Sequence, residues 1–228
     1  MAQHFSHTLN HNKYEDRRKE KQRQICRGAM KIFKNKGFNV ASMREIANAS
    51  KMSIGNLYNY IQKKEDILFL IHQDVHAQIY DRIDRIVRTY DNSVDQLVNL
   101  VKEIYDLTYE LKDEMLLIYT ETKSLAKNNR KEILRRESNF VSIVETLIEK
   151  GKKENIFNVE KSDISANICV FLLAIFPLRG WNILPLRDRQ ELAEALLKFI
   201  MRGLGVPEAI INQQVEFSDS NRSMKKSI

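Results

Sequence analysis

Glycine and proline are scarce in this chain, at 7 and 3 of 228 residues. No stretch alternates apolar and polar residues in the manner of a half-buried strand. An all-α fold is therefore expected. Cysteine is scarcer still, and Cys26 and Cys169 lie far apart within apolar helical patterns. A disulfide framework and a CxxC or Cys/His metal cluster are both excluded, and both thiols read as small buried hydrophobes. The longest apolar run, 168–178, has 11 residues, against the roughly 20 that a bilayer-spanning helix needs. The first 12 residues are polar and rich in His and Asn, without the apolar core of a signal peptide. Together these features lead us to expect a cytoplasmic protein. There is no Gly-rich phosphate loop, no nucleophile elbow and no metal-ligand spacing. An enzyme, a metal site and a cofactor are accordingly not expected. His4, His7 and His11 read as part of a loose tail.

The charge is present but unevenly placed. The net value is +7; residues 1–64 hold 14 Lys/Arg against 4 Asp/Glu, a balance of +10, and the remainder holds 23 against 26, a balance of −3. Phosphate attraction produces such an asymmetry, and so does an anionic membrane surface.

That basic end contains the most informative stretch, 42–64, SMREIANASKMSIGNLYNYIQKK. Ser42 and Glu45 have the spacing of a capping box at the start of a short helix. Ile46 and Ala47 give it an apolar side. After a break at 48–51, Ser53 can cap a second helix running to about Ile61. At about 100° per residue, Ile54, Leu57 and Ile61 share one face, with Tyr58 at its edge. Ser53, Asn56, Asn59 and Tyr60 share the other. Hydroxyls, amides and a phenol stand there in place of the usual Lys and Glu, and these groups can read base edges. Gly55 costs about 1 kcal/mol against Ala inside a helix, and close approach of a sugar–phosphate strand would account for it. The pattern reads as a helix-turn-helix; the competing reading is a helical hairpin with a merely wet face.

The stretch resembles the tetracycline-repressor (TetR) family of bacterial transcriptional regulators. The resemblance rests on Phe33, Gly37-Phe38, Ser42-Met43-Arg44-Glu45-Ile46-Ala47, Ala49, Ser53, Gly55-Asn56-Leu57-Tyr58, Tyr60 and Lys64-Glu65, within 17–70. Ile61 departs from it, since an aromatic is usual there, and Asn59-Tyr60 occupies the place where Tyr-His or Trp-His is common. The resemblance implies a helix-turn-helix head, a helical body that binds a small effector, and a homodimer on a palindromic DNA operator, most often acting as a repressor. We expect Arg44 and Asn59 at base edges, with Asn56 and Tyr60 assisting. Ser42, Ser53, Tyr58 and Lys64 are expected on phosphates, and Gly55 gives close approach.

The rest of the chain reads as 1–13 a disordered tail, 14–62 the head, 63–212 the ligand-binding and dimerisation body, and 213–228 a flexible tail. The first helix, 15–36, carries one apolar stripe (Ile25, Ala29, Ile32, Phe33) and basic residues elsewhere; Gly37 ends it, and Phe38 packs beneath the head. A connecting helix, 63–90, follows, with a stripe of Ile67, Ile71, Val75, Ile79, Ile83, Ile86 and Val87. Further helices are expected over 93–111, 113–125, 127–151, 163–180 and 187–201, with Pro177 bending or ending the fourth of these. The last two are apolar on more than one face, which suits pairing with a second copy; the plainer reading is core.

Tyr105, Tyr109, Tyr119, Glu121, Phe171, Phe176, Arg179 and Trp181 put aromatic and polar groups on otherwise apolar helices. They are candidate effector contacts, although each one singly reads as core. Arg179-Gly180-Trp181 slightly resembles the repressors of lipid and sterol breakdown that sense acyl-CoA thioesters, which makes acyl-CoA a candidate effector. A membrane-surface helical protein, or an architectural DNA-binding protein without effector, is the rival reading.

Overall fold

A computed structural model describes the backbone of residues 2–185 and 187–214, and the side chains of 17–185 and 187–214. Among these residues every regular element is helical: α1 (Ala2–Lys36), α2 (Met43–Ala49), α3 (Ile54–Tyr58), α4 (Lys64–Thr89), α5 (Ser93–Glu110), α6 (Lys112–Glu121), a 3-10 turn (Thr122–Ser124), α7 (Lys127–Lys153), α8 (Ser162–Leu173), α9 (Ile175–Ile183) and α10 (Arg189–Gly203). No single helix among them is long and apolar enough to cross a membrane.

The chain divides into two compact units. The first comprises 1–75 with 116–132, the second 76–115 with 133–228. The sequence placed the boundary at 62/63. The division falls instead at 75/76, inside the unbroken α4, so that residues 64–75 group with the head.

In the first unit α1 packs on α2, and α2 on α3. Ile25, Ala29, Phe33, Phe38, Ile46, Ala47, Leu57, Ile61, Ile67 and Leu68 form its core. Phe33 and Phe38 pack in a tilted contact, centroids 5.1 Å apart and planes at 56°, across the αL turn at Gly37 (φ +82°) that ends α1. α1 begins at Ala2. The segment 2–13, expected as a loose tail, thus continues the helix; it holds no Gly or Pro to stop it.

In the second unit α5 is central and packs against α8, α9 and α10. Val94, Leu97, Val98, Val101, Ile104 and Tyr105 are buried along it, as their spacing required. The stripe of α4 is buried except for Val87, which is 56% exposed. The apolar stretch expected as one helix over 163–180 is two, meeting at Ala174 with a 50° bend. The break precedes Pro177 by three residues, so proline falls in the first turn of α9, where its missing N–H costs no hydrogen bond. Gln213 and Gln214 belong to a helical stretch, 208–214, and Gln214 donates to Asp95 Oδ1 at 3.2 Å. The rest of the expected C-terminal tail lies outside the described residues.

Gly151 sits inside α7 with the Phe157 ring stacked against it, so an added Cβ would overlap the ring. Gly151→Ala is expected to destabilise the second unit by about 1–3 kcal/mol. Urea unfolding of the variant beside wild type checks this.

Candidate functional site

The head presents a short helix whose inner face is anchored and whose outer face is bare. Ser42 opens α2 as a capping box: its hydroxyl accepts from Glu45 N–H at 3.3 Å, and Glu45 Oε2 accepts from Ser42 N–H at 3.1 Å. Lys36 donates to the other Glu45 oxygen, and with the Ser42 bonds it holds that carboxyl down at about 2. Ser53 caps α3 by accepting from Asn56 N–H at 3.2 Å.

α3 itself is one turn and a half, ending at Tyr58 instead of near Ile61, with Asn59 as its C-cap. Leu57 and Ile61 are fully buried beneath it. Ile54, expected on the same inner face, is 38% exposed. It stands in the first turn of a five-residue helix, too short for the wheel to fix its direction. Ser53, Gly55, Asn56, Tyr58 and Asn59 are exposed, Tyr60 is half-buried, and Ser42 and Arg44 of the neighbouring helix are exposed as well. A Cβ added to Gly55 would meet no atom within 4 Å, so nothing inside the chain requires glycine there.

Lys64 differs from its expected role on phosphate. Its Nζ donates to the carbonyls of Asn39 (2.6 Å), Phe38 (2.8 Å) and Ala41 (3.3 Å) and lies 5.0 Å from the centre of the Phe38 ring. All three ammonium protons are thus engaged within the chain. Asp66 Oδ2 accepts from Gln62 N–H (3.2 Å) and Lys63 N–H (3.1 Å), so a carboxylate already occupies the entry to α4, where an anion was expected. Lys64 clamps the start of α4 to the loop before α2.

The eight effector candidates separate into groups. Tyr105, Tyr109 and Phe176 come together where α5 meets α9: Phe176 lies 5.6 Å from Tyr105, edge-on, and 4.9 Å from Tyr109. Burial pushes the Tyr105 phenol up to about 12, and it donates to the Arg189 carbonyl at 2.9 Å. The Arg189 guanidinium lies 4.1 Å over the Tyr109 ring and pairs with Asp106. Sequence reasoning missed Arg189, although Asp188 before it has the marks of an N-cap and is one. Phe171 and Trp181 instead face outward, at 62% and 73% exposure. Arg179 is exposed too and stacks over Trp181 at 5.3 Å. These three are therefore not lining the interior of this unit, because they sit on the outer sides of α8 and α9. Tyr119 and Glu121 belong to the first unit, where Glu121 accepts from Ser124 Oγ at 3.2 Å.

The buried histidines of α4 were also missed. His72 Nε2 lies 3.0 Å from Thr122 Oγ1 in the first unit, and His76 Nε2 lies 3.1 Å from Glu137 Oε1 in the second. Each directly follows a residue of the apolar stripe, Ile71 and Val75, so the stripe is two residues wide. Cys169 is buried and Cys26 half-buried, and desolvation raises both thiols, to about 11 and about 12. They are inert packing groups, as their sequence context indicated.

The geometry defines a three-helix helix-turn-helix head on an all-α chain. Residues 25–71 match the family model described as bacterial regulatory proteins, tetR family, and 90–174 match tetracyclin repressor-like, C-terminal domain. Together the two cover more than half of the chain, which belongs to the tetracycline-repressor family. It is similar to the HTH-type transcriptional regulator HbdR of Aromatoleum sp. (strain CIB), with 31% identity over 111 residues, 49% of this chain and 48% of the relative. The matched region thus spans about half the length of that curated relative. Among solved structures, a tetR-family regulatory protein from Rhodococcus RHA1 superposes with a TM-score of 0.75 at 19% identity, covering 82% of this chain and 98% of that one. AibR in complex with isovaleryl coenzyme A and operator DNA superposes with a TM-score of 0.69 at 22% identity, covering 78% and 97%. At these identities the likeness speaks for the fold.

The clamp geometry makes a prediction about Lys64. Lys64→Met is expected to cost about 1–2 kcal/mol of stability, as loss of charge-assisted hydrogen bonds does. It should leave the slope of log affinity for DNA against log salt at the wild-type value. Thermal unfolding and binding at four salt concentrations check both; a slope lowered by about one would return Lys64 to the phosphate.

Proposed function

We propose that this protein is a DNA-binding transcriptional regulator that works as a homodimer on a palindromic operator, represses from it, and is released by a small hydrophobic effector. The observation that carries the reading is α3. Its apolar residue Leu57 is sealed inward with Ile61, while Ser53, Gly55, Asn56, Tyr58 and Asn59 are left to solvent with Arg44 beside them. Uncharged donors and acceptors on a capped helix, within a stretch (1–64) that carries ten excess positive charges, suit a major groove whose edges carry both kinds of partner. Ser42, Ser53 and Tyr58 would hold phosphates and set register, Arg44 and Asn59 would reach bases, and Asn56 and Tyr60 would assist.

The homodimer reading is supported by Ile164, Ile168 and Phe171, exposed at i, i+4 and i+7 of α8, with Trp181 and Phe199 also exposed on the following helices. Large apolar side chains in a row on one helix are characteristic of a subunit interface. The same placement turns Phe171, Arg179 and Trp181 from effector contacts into interface residues. The effector would be read at the Tyr105–Tyr109–Phe176 cluster, held by Arg189. An acyl-CoA remains the proposed class, since AibR, of similar fold, was solved with isovaleryl coenzyme A. Release requires that the effector bind the DNA-free state more tightly than the DNA-bound one. A regulator of this kind would work in the cytoplasm. Salt-dependent binding to anionic vesicles without DNA binding would favour the membrane-surface reading, and sequence-blind DNA binding the architectural one.

Selection of bound sequences from a random duplex pool, followed by titration of the selected site, tests the reading. Arg44→Ala should lose about 1–3 kcal/mol on the selected site and relax preference at one position per half-site. Equal loss on selected and random DNA would remove Arg44 from base reading. Gly55→Ala should raise thermal stability, by up to about 1 kcal/mol, because the site has room for a methyl group. It should at the same time weaken DNA binding by obstructing the backbone's approach. A variant that is stabilised and binds as well as wild type would refute the close-approach role.

A further inference from the structure

Four of the described residues have positive φ: Gly37 (+82°), Lys51 (+54°), Asn155 (+57°) and Gly205 (+69°). Gly37 directly follows α1, and the other three stand two residues past the ends of α2, α7 and α10, where a left-handed residue lets the chain leave. Three of them close the same hydrogen-bond pattern. After α2, Lys51 N–H donates to Asn48 O (3.0 Å) and Met52 N–H to Ala47 O (3.0 Å). After α7, Asn155 N–H donates to Lys152 O and Ile156 N–H to Gly151 O, both at 3.0 Å. After α10, Gly205 N–H donates to Arg202 O (2.9 Å) and Val206 N–H to Met201 O (3.0 Å). Glycine and asparagine are the residues that tolerate this conformation; lysine does not share their reasons. The turn of the helix-turn-helix is thus the one of the four that uses neither glycine nor asparagine.

The strain is imposed from both sides. Gln24 of α1 donates to the Ser50 carbonyl at 2.5 Å, and Ser50 is buried so close to Gly28 that a Cβ there would overlap it. On the other side Met52 is buried. The chain must reverse between two fixed points, and Lys51 is where it does so. Met52 points inward, and its neighbours Lys51 and Ser53 are exposed. The Lys51 side chain makes no hydrogen bond or ion pair among the described residues.

The packing accounts for the left-handed turn, but no side-chain contact among the described residues accounts for a lysine in it, and a residue placed against its backbone preference points to an external use. We propose that Lys51 is a phosphate contact of the head: it stands exposed on the turn between α2 and α3, two residues before the Ser53 cap. The inference rests on the DNA-binding reading above and adds a residue to it. The alternative is that Lys51 only complements the carbonyl end of α2.

Lys51→Asn tests the proposal, because asparagine fits the backbone and removes the charge; Lys51→Gly does the same with less side chain, and Lys51→Arg keeps the charge. The readouts are the melting temperature and the salt dependence of affinity for the selected operator. The expected result is a melting temperature equal to or above wild type for Asn and Gly, with weaker binding and a log–log salt slope reduced by about 0.9 for each head bound, while Arg keeps the wild-type slope. Unchanged slopes in Asn and Gly would overturn the proposal and leave DNA binding by the wild type standing. If the wild type itself shows no salt-dependent DNA binding, the functional reading fails and this inference with it.

Discussion

The head depends on helix ends. α2 has seven residues and α3 five, far below the length at which an isolated helix holds in water. Each therefore exists only because its ends are closed and one side is buried. Ser42 with Glu45, and Ser53, satisfy the N-termini; Lys51 and Met52 close the end of α2. Ile46, Ala47, Leu57 and Ile61 supply the burial. Because so few residues do the holding, the others on α3 remain uncommitted, and a helix this short can afford an outer face free of internal partners. The same economy explains the Lys64 clamp. The loop 38–41 has no helix of its own to satisfy its carbonyls, so a cation from the first turn of α4 does it, and the loop is tied to the helix that leaves the head.

The parts of this fold that were legible in the sequence are those set by local chemistry. Two capping serines, the Gly37 exit, the apolar stripe of α4 and the all-α class follow from neighbours three or four residues apart. What escaped was decided by longer-range packing or by geometry finer than a wheel. Ile54 lies outward because a five-residue helix has no settled face. The break at Ala174 anticipates Pro177 because the ring must find a first turn to sit in. Lys64 has the charge and place of a phosphate ligand, and only the 38–41 loop, about 25 residues away in sequence, takes it out of that role. His72 and His76 were hidden by the habit of counting polar residues beside an apolar stripe as solvated.

The effector candidates show the same limit. Aromatic residues on apolar helices have no local signature that separates a core contact from an interface contact. Tyr105, Tyr109 and Phe176 converge because α5 and α9 pack together. Phe171 and Trp181, equally aromatic and close in sequence to Phe176, turn the other way. Helix direction over one turn decides which set a residue joins, and the 50° bend between α8 and α9 changes that direction between Phe171 and Phe176.

These placements fit the energetics of a two-headed regulator. Each specific base contact gives about 1–3 kcal/mol of discrimination, and under the proposed reading α3 with Arg44 would offer only a few. A single head cannot separate its site from the many competing sequences in a genome, for which a margin of about 4–10 kcal/mol is typical. Two heads held at fixed spacing double the contacts and add a geometric condition that random sequence does not meet. Holding them requires an apolar surface elsewhere on the chain, and in the dimer proposed above the exposed row Ile164, Ile168 and Phe171 would supply it. An effector need not then displace any base contact. It needs only to prefer, by a few kcal/mol, a body arrangement in which the two heads no longer match their half-sites.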